Sequence, residues 1–198
     1  MIKALLIDGD GATLKKTKYF SDVYAEEYHV PEEKLRGFFK DKFRDCQKGK
    51  ADLKQELQPH LKDWGWSGTV EEFLDYWFHT QTIPNQPILD FLHTLRERGV
   101  KCYLATDQEK YRADYIANTL RFKDYFDGCF FSCDLGFDKS QKEFFESVLK
   151  KLELKPEEAI YWDDEDIEMA KAAGINASIY ESFENFKDEI NILLNLSQ

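Results

Sequence analysis

Five short apolar runs punctuate the chain, at residues 2–7, 101–105, 128–132, 159–162 and 176–180. They are brief, nearly continuous and without helical period, and so are predicted to be strands buried on both faces. The segments between the later runs carry apolar residues at helical spacing. Ile88, Leu89, Leu92 and Leu95 precede Gly99; Tyr111, Tyr115, Ile116 and Leu120 form a second stripe; Phe144, Phe145, Val148, Leu149 and Leu152 form a third before Pro156. Ile167 to Ala173 ends at Gly174, and residues 183–196 make a closing helix. Strand and helix in alternation predict an α/β fold: a Rossmann-like, doubly wound parallel sheet with helices on both faces.

Residues 15–84 break that rhythm. Helical patterns recur at 19–28, 31–46, 53–64 and 71–80 with no strand between them, punctuated by Gly49 and by the turn Gly65-Trp66-Ser67-Gly68. The expectation is an all-helical cap subdomain at 15–84, inserted after the first strand, with 1–14 and 85–198 forming the α/β core. Phe73, Tyr76 and Trp77 are assigned to the insert's own core.

Composition narrows the function classes. The 198 residues are 42% hydrophobic and 33% charged, enough apolar material for a well-buried core. A formal net charge of −11 repels phosphate backbones and anionic lipid, so neither nucleic acid nor a membrane surface is an expected partner. The four cysteines (Cys46, Cys102, Cys129, Cys133) form no CxxC pair and read as reduced thiols of a cytoplasmic protein. The first apolar run is too short for a secretory leader, and no run approaches a membrane span. The pattern gives no oligomeric state.

Chemistry collects where the predicted strands end. Asp8 and Asp10 flank Gly9 at the tip of the first strand, two like charges that a cation or a reacting group must justify. Thr106 and Asp107 follow the second strand, Lys139 follows the third, and Asp163 and Asp164 end the fourth. Singly, each has an ordinary structural explanation: a helix cap, a solvated lysine, an acidic helix start. In a parallel sheet, however, all these ends share one rim, so the residues converge on one small volume.

With those residues in place, the chain resembles the haloacid dehalogenase-like (HAD) hydrolase superfamily over its whole length, with the 15–84 insert similar to a helical cap of the first type. The matching features are Asp8-Gly9-Asp10-Gly11-Ala12, Thr106, Lys139-Ser140 and Asp163-Asp164, with Ala172-Ala173-Gly174 closing the next helix. The resemblance implies a phosphatase for a small phosphorylated metabolite. Asp8 would attack phosphorus to form an aspartyl-phosphate, and Asp10 would act as general acid and base. Thr106 and the backbone at Asp107 would bind phosphoryl oxygens, and Lys139 would neutralise their charge. Mg2+ would be held by Asp8, the main-chain oxygen of Asp10 and Asp164, with Asp163 a further candidate. Dehalogenases of this superfamily lack an acid at the Asp10 position, so Asp10 favours an oxygen leaving group.

Four departures stand out. Ala12 replaces the usual Thr or Val, Asp107 the common Asn, and Ser140 the usual Pro, while Asp166 follows Asp163-Asp164 almost at once. The short acidic loop leaves open which of Asp163, Asp164 and Asp166 reaches the metal. Two other readings stay open: a phosphomutase on the same core, and a non-catalytic binder with a degenerate metal loop. Substrate selection is expected from the insert, with Trp64, Trp66, Arg36, Lys40, Lys42 and Arg44 as unranked candidates.

Overall fold

A central strand, β1 (Ala4–Ile7), is completely buried and pairs in parallel on both sides, as its unbroken apolar sequence requires. The computed structural model describes residues 2–194. On one side of β1 lie β2 (Lys101–Thr106) and β3 (Gly128–Phe131), and on the other β4 (Ala159–Asp163) and β5 (Asn176–Ile179), in the order β3-β2-β1-β4-β5, all parallel. The expected strands are present. The third is shorter at its end, because Ser132 begins a helical turn, and the first starts at Ala4.

Between β1 and β2 the chain forms α1 (Phe20–Tyr28), α2 (Glu32–Lys40), α3 (Lys42–Gln47), α4 (Leu53–Leu57), α5 (Val70–Gln81) and α6 (Gln86–Glu97). After β2 comes α7 (Lys110–Asp114), which widens into a single π-type turn over Tyr115–Thr119, and then α8 (Phe122–Tyr125). After β3 come α9 (Ser132–Leu135) and α10 (Lys142–Leu152), and α11 (Glu168–Ala172) and α12 (Phe183–Leu193) flank β5. Residues 195–196 of the expected last helix lie outside the described residues.

Two expected helices are divided. The 31–46 pattern breaks at Asp41, whose backbone (φ −117°, ψ −81°) leaves the helical region. The 53–64 pattern keeps only α4 as regular helix, because Pro59 has no N–H to return to the Gln55 carbonyl. The remainder, through Trp64, is a series of turns. Apolar periodicity survives such breaks, so sequence alone joined what the backbone separates.

Two apolar clusters cover the faces of the sheet. One gathers Leu5, Ile7, Leu104 and Trp162 with α6 and α12; the other gathers Leu6, Ala105 and Tyr161 with α10 and α11. A third cluster belongs to the inserted helices and is mainly aromatic. Phe20 stacks on Trp77 with ring centroids 4.8 Å apart, and the buried Tyr24 hydroxyl donates to the Trp64 carbonyl at 3.0 Å. Phe73 and Trp77 are buried there and Tyr76 partly so, as the aromatic stripe predicts. The two passages between insert and sheet run side by side: Lys15 N–H donates to Ile83 at 2.8 Å and Asn85 N–H to Thr13 at 2.9 Å.

Candidate active site at the carboxyl rim of the sheet

The strand order reverses around β1, which places its carboxyl end in the crevice where open α/β sheets take ligands. The turn after β1 is drawn tight by its own bonds. Leu14 N–H donates to the Gly9 carbonyl at 2.8 Å, and the buried Thr13 hydroxyl donates to the Asp8 carbonyl at 2.9 Å. The hydroxyl missing at Ala12 is thus supplied one position later, while Ala12 itself is core. Gly9 and Gly11 are needed for space. A Cβ at Gly9 would lie 2.7 Å from Thr106 Oγ1, and one at Gly11 (φ +83°) would meet the Asp164 carboxylate at 2.2 Å.

Asp8 projects from this turn into a buried ionic cluster. Lys139 Nζ lies 2.7 Å from Asp8 Oδ1 and 2.6 Å from Asp163 Oδ2. Asp8 Oδ1 is fully buried, and the Lys139 ammonium is the cation that balances it. Burial pushes the Asp8 carboxyl up to about 7, opposed by Lys139 and reinforced by Asp163. Burial also disfavours charge on Lys139, but Asp8, Tyr161 and the neighbouring carboxylates raise its pKa and keep it protonated.

Asp163 is saturated. Oδ2 accepts from Lys139 and the Tyr161 hydroxyl, and Oδ1 from the amides of Glu165 (2.9 Å) and Asp166 (3.2 Å). These donors outweigh burial and hold its carboxyl below the usual range. The turn that satisfies Asp163 is the short acidic loop itself. Asp166 is spent on the Glu168 amide at 2.8 Å, capping α11. Asp164 points back to Gly11 and pairs with the exposed Lys16 at 2.7 Å.

Carboxylate oxygens of Asp8, Asp163 and Asp164 lie within 4.8 Å of one another, a grouping that can hold a metal ion. The residues fit a hard divalent cation. Asp8 contributes a carboxylate oxygen to the grouping, and Asp164 sits in a cradle that any side chain at position 11 would fill. Asp163 has its acceptor sites taken already and suits the second layer of such a centre. Of the three acids left open by the sequence, Asp163 and Asp164 lie grouped with Asp8, and Asp166 is outside that grouping.

The second carboxylate of the motif has its own partners. Arg112 clamps Asp10 through both oxygens: Nη2 to Oδ1 and Nη1 to Oδ2, each at 2.6 Å. Gln108 Nε2 adds a bond to Oδ2 at 2.9 Å. Desolvation opposes ionisation of Asp10, yet Arg112 and Gln108 prevail and hold its carboxyl below the usual range. The side chain remains half exposed, at 50%, on the open side of the clamp. Thr106 is buried and accepts from Gln108 at 3.3 Å, which leaves its own O–H to donate. The Asp107 side chain turns away from the crevice and accepts the Lys139 amide at 2.9 Å, so it shapes the lysine's loop.

Sequence reasoning missed Gln108 and Arg112. The signal was present: they stand four apart just beyond a strand end, and Arg112 lies one helical turn before Ile116 on the buried face. A guanidinium on an apolar stripe demands an anionic partner. Three of the residues expected to select substrate have definite surroundings. Trp64 is buried in the insert's core, Arg36 pairs with Glu32 on the surface, and Lys42 faces Glu56. Residues 48–52 of the insert also reach the elements that follow β2 and β3. A Cβ at Gly49 would lie 2.3 Å from the Cys133 carbonyl, Lys48 reaches Asp138 at 3.5 Å, and Asp52 accepts from Lys110 and the Tyr111 hydroxyl.

Among the described residues, no helix is long and apolar enough to cross a membrane. Comparison with solved structures finds the same fold in several bacterial proteins. The HAD family enzyme bt-2542 of Bacteroides thetaiotaomicron superposes with a TM-score of 0.81 at 21% identity, over 96% of this chain and 98% of that one. A predicted HAD-like family hydrolase of Porphyromonas gingivalis gives 0.81 at 19% identity over 100% of both chains. A 2-haloacid dehalogenase of Pseudomonas syringae pv. Tomato gives 0.64 at 20% identity, over 91% of this chain and 86% of that one. The Bacteroides enzyme has also been crystallised with magnesium and inorganic phosphate. At such identities the likeness is one of fold. The sequence model of haloacid dehalogenase-like hydrolases matches residues 2–174, and the chain belongs to that family.

Proposed function

We propose that this hydrolase is a Mg2+-dependent phosphatase acting on a small phosphorylated metabolite, with the 15–84 helices as its cap. The observation that carries the reading is Asp8: a buried carboxyl at the tip of the central strand, 2.7 Å from a lysine ammonium and grouped with the carboxylates of Asp163 and Asp164. A carboxylate at a strand tip, beside a cation that balances its charge, is the kind of group that attacks phosphorus. The Asp8–Asp164 pair is the donor set for Mg2+, with the Asp10 main-chain oxygen as a further ligand. Bound there, the ion would supply charge neutralisation between an anionic nucleophile and an anionic substrate.

The chain's own residues supply the rest. Asp8 Oδ forms a bond to phosphorus as the bond to the leaving oxygen breaks, and Asp10, ionised at rest, relays to that oxygen the proton of an incoming phosphate monoanion. A water molecule then attacks phosphorus, its proton passes to the Asp10 carboxylate, and the acyl phosphate bond breaks to free Asp8 and inorganic phosphate. Lys139 stays charged and balances the phosphoryl oxygens, and the Thr106 hydroxyl donates to one of them.

The acid at Asp10 supports phosphoryl transfer over dehalogenation, since a departing halide takes no proton. The 48–52 turn abuts the sheet beside Lys139, which favours a small substrate over a polymer. The test is a panel of phosphorylated metabolites plus nitrophenyl phosphate, assayed with Mg2+ and with EDTA. Turnover that is lost on chelation, restored by Mg2+ and abolished in a folded Asp8→Asn variant is expected. Undiminished turnover in Asp8→Asn removes the nucleophile, and undiminished turnover in EDTA removes the metal.

A further inference from the structure

Arg112 is the most elaborately held cation in the molecule outside the Lys139 cluster. Its side chain is only 10% exposed, and every arm of its fork is engaged. Nη1 and Nη2 take the two oxygens of Asp10, Nη1 also donates to Gln108 Oε1 at 2.7 Å, and Nε donates to Thr82 Oγ1 at 3.1 Å. Nη2 lies 3.5 Å from the Gln81 carbonyl. Gln81 and Thr82 end the insert on its return to the sheet, and Gln81 Oε1 accepts the hydroxyl of Thr17 from the outgoing passage at 2.9 Å. One guanidinium therefore touches the motif carboxylate and the return passage, and through Gln81 is one bond from the outgoing passage.

We propose that Arg112 is a positioning residue for proton transfer at Asp10, and that it ties the orientation of that carboxyl to the linker between insert and sheet. The inference rests on the phosphatase reading above. A planar fork binding both oxygens fixes the plane of the carboxyl as well as its place, which a single ammonium does not do. The bonding is asymmetric. Oδ2 already accepts two N–H groups, from Arg112 and Gln108, whereas Oδ1 accepts one. Oδ1 therefore keeps the open acceptor site and is the atom that loses its proton to the leaving oxygen and later takes one from water. Because Thr82 anchors the same guanidinium, a shift of the linker moves Asp10.

Substituted phenyl phosphates that range from nitrophenyl to methylphenyl leaving groups test this, read as kcat/KM, which covers events only up to leaving-group departure. Poor leaving groups need the proton most. Arg112→Ala is expected to lose at least about tenfold more on the poorest leaving group than on nitrophenyl, within the ~10²–10⁴ worth of acid–base assistance. Thr82→Val, which keeps the side chain's shape and the Arg112 charge, is expected to shift the series the same way by less, and it carries the test if Arg112→Ala does not fold. The Asp10→Ala/Arg112→Ala double variant should lose no more than Asp10→Ala alone. Equal losses across the series, or additive losses in the double variant, overturn the inference while leaving the phosphatase standing. No turnover of any aryl phosphate by the unaltered protein overturns both.

Discussion

Gly11 makes the site's dependence on a single backbone atom plain. Its φ of +83° is costly for any other L-residue, and the space where a Cβ would go holds the Asp164 carboxylate. Gly11→Ala is expected to cost about 1–2 kcal/mol in urea unfolding. It should also raise the Mg2+ concentration needed for half-maximal activity more than tenfold (~1.4 kcal/mol), by displacing Asp164. An unchanged Mg2+ requirement would remove Asp164 from the metal site. Residues of this kind were legible in the sequence because Asp8, Asp10, Thr106 and Asp163-Asp164 sit at the ends of parallel strands, which come together, while Lys139 lies further on, in the loop between α9 and α10. Arg112 and Gln108 carried a signal too, a guanidinium on an apolar stripe, but their partner depends on how a helix start lies against a neighbouring turn, which periodicity does not encode. The division of labour between Asp163 and Asp164 was hidden for a related reason. Two adjacent, identical residues differ only through the turn that sends one to a lysine and the other to a glycine.

At the scale of elements, the five residues of α7 carry unusual responsibility. Glu109 caps its start by accepting the Tyr111 and Arg112 amides at 2.8 and 2.6 Å, Lys110 and Tyr111 reach Asp52 of the insert, and Arg112 holds Asp10. Burial pushes Glu109 up to about 7 despite those amides and the nearby Arg112. The consequence for stability has a definite sign. Between pH ~4.5 and 7 the unfolded chain has released this proton and the folded chain keeps it, so folding free energy weakens as pH rises through that window. Asp107, raised to about 6, and Asp8, raised to about 7, add slopes of the same sign. Glu109→Gln has no proton to lose. Its urea stability is expected to fall less between pH 5 and 7.5 than that of the unaltered protein, by ~1–3 kcal/mol. Identical falls would show that Glu109 titrates normally.

For the whole molecule, the contacts at residues 48–52 decide how insert and sheet act together. Asp52 both caps α4, accepting the Lys54 and Gln55 amides, and receives Lys110 and Tyr111 from the sheet side. Asp52→Asn preserves an oxygen for the cap while removing the charge that Lys110 meets. Stability is expected to change by less than about 0.5 kcal/mol, while KM for the phosphorylated substrate rises about two- to tenfold as the insert is held less firmly beside Lys139. An unaltered KM would show that this contact does not hold the insert over the crevice. The existence and position of the insert were readable as a long helical stretch without strands. Its working edge was less so: Trp64, a candidate for substrate selection, is buried in the insert's own core, while the turn at Gly49 packs against Cys133.

The paired backbone at 13–15 and 83–85 carries a final implication. Departure and return of the polypeptide are pinned within one hydrogen bond of each other, so everything between hangs from a single doorway in the parallel architecture. Lengthening or shortening the excursion alters loop-closure entropy only logarithmically and leaves the strand ladder untouched. The excursion can therefore vary in length and content while the strand tips that carry Asp8 and Asp163 stay where they are.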